Sequence, residues 1–127
     1  MEYLTNSNLL INIDLIEKIT GANRFFEVFY CTEDKEKHKI ILNDVWDMRY
    51  SIENASIDRF YEFRKHLPEG IIENSFYIVM NSQYIDYFEN QVSGTYPINS
   101  LKHYLFTDNV DTILDVLAIE EPIFVKI

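Results

Sequence analysis

The chain has 127 residues, 47% hydrophobic and 15% aromatic, with a formal net charge of −10. That length and apolar content fit a single domain, residues 1–127, and exclude a disordered chain; one cysteine, Cys31, excludes a disulfide framework. Residues 66–127 hold nine acids against only Lys102 and Lys126, a field that repels phosphates and argues against nucleic acid or anionic membrane as a partner.

The N-terminus has no basic start followed by an apolar stretch, and no apolar run reaches the roughly 18 residues of a membrane span, so a cytoplasmic location is expected. Residues 9–13 (Leu-Leu-Ile-Asn-Ile) are short enough to be a strand or a helix start. Asp14 and Glu17 have the spacing of a capping box, Leu15, Ile16 and Ile19 form an apolar stripe, and Gly21 suits a left-handed stop, which together predict a helix from Asp14 to Thr20. The aromatic run at 24–31 predicts a strand. From Ile40 to Ile52 apolar residues alternate with polar ones, as in a long half-buried strand with Trp46 inside. Asn43 and Asp44 interrupt that row, and a bulge or tight bend is expected there.

After Asn54 the period becomes helical, with Ser56 as cap, Ile57, Phe60, Phe63 and Leu67 on one face, and Pro68 and Gly70 as the end. Residues 75–80 predict a strand, and Ser82 then caps a second amphipathic helix carrying Tyr84, Ile85, Phe88 and Val92 and closed by Gly94. Lys102 to Thr107 predict a strand and Asp108-Asn109 a turn. Val110, Ile113, Leu114 and Leu117 fit helical spacing as well as a return strand, and the β-branched content favours the strand. Pro122 restricts 123–127 to an edge strand or an extended tail. The expected class is α+β: a mainly antiparallel sheet with two to three helices packed on one face.

Chemistry-bearing motifs are sparse. There is no Gly-x-Ser-x-Gly elbow, and Gly21, Gly70 and Gly94 are too far apart for a phosphate-cradling loop. His38, His66 and His103 lack zinc-site spacing, so no metal and no cofactor is expected; His103 is the best candidate general base. Asp47, Arg49 and Glu53 share one face of the long predicted strand, as in a salt-bridge ladder or a polar contact surface. The partner-facing candidates are Asp108, Asp111, Asp115, Glu120 and Glu121, with Tyr84, Tyr87 and Tyr96 upstream. Acids steer a basic partner, and tyrosines supply rigid contact area with a polar end.

In size, acidity, lack of a catalytic motif and richness in Asn, Ile and Tyr, the chain resembles the small acidic α+β immunity proteins with which bacteria neutralise toxin domains. That resemblance implies a one-to-one inhibitor of a cationic, nuclease-like toxin. A self-associating structural or adaptor domain, a homo-oligomer, is the alternative reading. An enzyme using His103 and scattered carboxylates is a third.

Overall fold

The computed structural model describes residues 2–6, 9–51, 74–92, 100–110 and 112–127. The described chain forms nine strands and one helix. In order they are β1 (Tyr3–Asn6), β2 (Leu15–Ala22), β3 (Phe25–Cys31), β4 (Lys37–Leu42), β5 (Val45–Ser51), β6 (Phe76–Met80), α1 (Gln83–Val92), β7 (Lys102–Thr107), β8 (Ile113–Ala118) and β9 (Ile123–Lys126).

The strands build two antiparallel sheets, ordered β1-β6-β7-β8-β5 and β2-β3-β4-β9. This corrects the expected single sheet beneath two or three helices. Only α1 is helical beyond a single turn among the described residues, and the helix expected from Ser56 to Leu67 lies outside them.

The sheets face one another across a shared core. Ile16, Val28, Tyr30, Ile40 and Leu42 enter it from the four-stranded sheet, and Phe76, Tyr104, Phe106, Leu114 and Val116 from the five-stranded one. Phe124 of β9 closes the seam, its ring centroid 5.2 Å from Phe76. The opposite face of the five-stranded sheet is also covered, in part by Tyr84 and Phe88 of α1 against Leu117 and Leu101. Every residue of β8 is therefore buried, which is why Ile-Leu-Asp-Val-Leu-Ala reads as an unbroken apolar run with one acid in it.

Two β-bulges explain where sequence periodicity and structure part. The predicted helix at 14–20 is strand β2, paired along its length with β3. The register slips between Ile16 and Lys18, so Glu17 is an extra residue, and both Ile16 and Ile19 reach the core. A bulge thus produces in a strand the three-residue spacing that otherwise marks a helix. The long strand predicted from Ile40 is two strands in different sheets. The chain crosses between them at Asp44, whose φ of 51° is left-handed, at the position of the expected bend.

A second slip between Val45 and Asp47 makes Trp46 the extra residue. Val45 and Met48 pack into the inter-sheet core while Trp46 turns to the α1 side, half-buried where full burial was expected.

Residues 9–13 adopt no regular structure, yet Ile13 is fully buried, its N–H donating to Ser75 Oγ. The strands at 75–80 and 102–107, the return strand after 112 and the helix after Ser82 form as expected, and β9 is a sheet edge. Strand β1 carried too few apolar residues to be recognised.

Gly21 lies within β2, with φ of 147°, and ends no helix. A Cβ there would sit 2.2 Å from the Phe25 carbonyl oxygen and 2.7 Å from Phe26 Cα, both backbone atoms that cannot swing aside. Gly21→Ala is therefore expected to destabilise the protein by about 1–3 kcal/mol, read as a lower urea midpoint with unchanged m-value.

Candidate functional site

The most chemically loaded cluster lies where α1 meets the five-stranded sheet. Strand β6 ends at Met80, Asn81 takes a left-handed φ of 53°, and Ser82 opens the helix. Ser82 Oγ accepts the Ile85 N–H at 3.1 Å, the expected N-cap, and Glu2 adds a second cap by accepting the Gln83 N–H at 2.7 Å. Beneath the cap, Ser82 Oγ is 2.7 Å from His103 Nδ1, and His103 Nε2 is 2.5 Å from Asp115 Oδ1. The His103 and Asp115 side chains have no exposure. With the Ser82 hydroxyl donating to Nδ1 and the ring Nε2–H donating to Asp115, each bond in the chain has one proton to share.

Tyr84 walls this array. Its ring meets His103 edge-on at 5.3 Å, its hydroxyl donates to Asp47 Oδ2 at 2.8 Å, and the Arg49 guanidinium lies 3.8 Å from its centroid. Burial, reinforced by Asp47, holds the Tyr84 phenol protonated far above the ordinary tyrosine range. Arg49 extends 5.3 Å from the Tyr87 ring, so Tyr84, Arg49 and Tyr87 form a stack running from core to surface.

Serine, histidine and aspartate are the residue types of a hydrolytic relay. Here Ser82 is 6% exposed and its oxygen already takes a helix N–H, so the array acts as a polar strut fastening α1 to β7 and β8. Sequence reasoning found its members singly, Ser82 as a cap and His103 as a candidate base. The signal that joins them is the acid inside the apolar run of β8, because a carboxylate there needs a buried partner.

The structure redistributes the other candidates. Asp115 and Tyr84 are internal and leave the surface set. Asp108 is an anchor: Oδ1 accepts the Val110 and Thr112 N–H groups and Oδ2 accepts the Ile16 N–H, tying the β7–β8 turn to β2. Glu120 and Glu121 are exposed between β8 and β9, and Tyr87 is 56% exposed on α1. Asp47 and Arg49 serve the Tyr84 stack. Asp111, Tyr96 and Glu53 lie outside the described residues.

The salt-bridge ladder stands on the four-stranded sheet, where Glu17 pairs with Lys37 (2.8 Å), Glu27 with Lys39 (2.7 Å) and Glu36 with Lys126 (2.5 Å). Lys126 holds the Glu36 carboxyl below the usual carboxylate range.

Charge is consequently divided between the sheets. Among the described residues, the stretches 9–44 and 122–127, which form the four-stranded sheet, hold seven acids and six bases and are nearly neutral. The described residues of the five-stranded sheet with α1 and its turns hold eight acids against Arg49 and Lys102, so among the described residues this half carries most of the net negative charge. No described helix is long and apolar enough to cross a membrane. No family model, curated protein or solved structure matches the chain.

Two predictions follow from the buried groups. His103→Ala or Asp115→Ala alone strands the remaining partner and should cost about 3–5 kcal/mol in urea unfolding, whereas the double change to leucines should lose less than the sum. In addition, the Tyr104 phenol is buried and pushed up to about 12, chiefly by desolvation and further by Glu121. Its folded value exceeds its unfolded one, so stability should be intact below about pH 10 and fall as pH rises towards 12. Denaturant midpoints measured across that range, with Tyr104→Phe flattening the fall, would check this.

Proposed function

We propose that this protein acts by binding a basic protein partner, in the manner of an immunity protein neutralising a cationic toxin domain, and not by catalysis. The observation that supports this reading is the division of charge among the described residues: Lys37, Lys39 and Lys126 of one sheet are paired with glutamates, while the other half holds eight acids against two bases and exposes Asp86, Glu120 and Glu121. Such a field raises the rate of encounter with a cation-rich surface and rejects phosphate-bearing ones. The relay-like cluster of Ser82, His103 and Asp115 is committed to holding the helix, which favours binding over turnover.

The test begins with the adjacent reading frame. On this reading it encodes a larger protein with a cationic domain, and the two purified proteins elute as a one-to-one complex. Association should slow about tenfold or more at low salt when Glu120 and Glu121 are both changed to lysine, and added salt should narrow the gap. The fold should survive, since both side chains are exposed. An unchanged rate in a folded variant would leave the acidity with a solubilising role, and elution as a stable homo-oligomer would point to self-association.

A further inference from the structure

The hairpin joining β2 to β3 turns through Asn23 and Arg24, with φ of 54° and 69°. Two left-handed residues in a two-residue loop make a type I′ turn, whose second position favours glycine and disfavours a long side chain. Arginine occupies it nonetheless, and its guanidinium carbon lies over the Trp46 ring, 3.7 Å from the centroid.

Asp44, a third left-handed residue, is 3.8 Å from the Arg24 guanidinium. The backbone locks the three strands' ends together: Val45 N–H donates to the Arg24 carbonyl at 3.0 Å and Ile119 N–H to the Asp44 carbonyl at 3.2 Å. The second of these bonds brings Glu120 and Glu121 to the same corner. Phe25, next to Arg24 in the chain, is 44% exposed.

We infer that this corner, centred on Arg24 stacked over Trp46 and rimmed by Asp44, Glu120 and Glu121, is the contact surface for the basic partner. The inference rests on the proposed function and locates it. Tryptophan and arginine are among the residue types that most often dominate interface energy, and the exposed Phe25 adds apolar area next to Arg24 in the chain. The surrounding acids select lysine- and arginine-bearing chains, so the occupant that fits is a basic segment with interspersed aliphatic residues. Asn23 and Asp44 adopt the left-handed region readily, so Arg24 is the residue at this corner whose presence the turn itself does not explain.

Trp46 is the single tryptophan, so its fluorescence reports from this corner alone. The experiment titrates the full chain with a synthetic peptide of alternating lysine and leucine, reading Trp46 emission and, separately, total binding by calorimetry. The expected result is a saturable emission change that high salt suppresses, weakened about tenfold by Arg24→Gly and by Glu120→Lys, with Asp34→Lys on the distant β3–β4 turn having no such effect.

Arg24→Gly should melt no lower than the native protein, because glycine relieves the turn; a purely structural arginine would lower the melting point and leave binding alone. Peptide binding with silent Trp46 emission, or with both variants unaffected, would overturn the location while leaving a basic partner in place. No binding by either readout would overturn both.

Discussion

A carboxylate in the middle of a fully buried strand has to be matched, and much of the five-stranded half of this protein follows from how Asp115 is matched. Leaving it alone would cost several kcal/mol of desolvation. His103 meets it from β7, Ser82 meets His103 from the helix cap, and the cap determines where α1 enters. Once α1 is placed, Tyr84 falls between His103 and Arg49 and Tyr87 is carried to the surface. One interior polar group thus controls the register of helix on sheet, a specificity that Phe88 and Leu117, being non-directional contacts, do not supply.

The corner at Arg24 is organised differently, by backbone conformation. The bulge at Trp46 turns one indole out of the inter-sheet core, and the left-handed bend at Asp44 carries the chain from one sheet to the other beside the β2–β3 hairpin. Bulges commonly re-aim a side chain in this way. The result is a tryptophan held half-buried with an arginine over its face.

Electrostatics joins these two regions. Local pairing of Glu17, Glu27 and Glu36 with lysines neutralises the outside of the four-stranded sheet. Among the described residues, the acids in excess of bases belong to the other half, with Glu120 and Glu121 exposed in the β8–β9 connection. On the proposed reading, a basic partner approaching along that field would meet Arg24 and Trp46 after the acids had oriented it, which would separate the groups that set rate from those that set lifetime.

The sequence by itself determined most of the strands, the bend at Asp44, the cap at Ser82 and the acidity, because each depends on residues within a few positions: alternation, turn chemistry, a hydroxyl before an amphipathic run. Tertiary structure alone decided the rest. Glu17 became a bulge because β3 pairs on both sides of it, and without β3 the spacing of Ile16 and Ile19 is that of a helix. The row from Ile40 to Ile52 divided between two sheets because a left-handed residue redirected it, and nothing in a period-two pattern says which sheet each half joins. Asp115 moved from expected surface to interior because β8 is covered on both faces, and its partners stand 12 residues away at His103 and, through it, at Ser82. Local patterns report what a segment prefers; burial and partnership are set by which distant segments cover it.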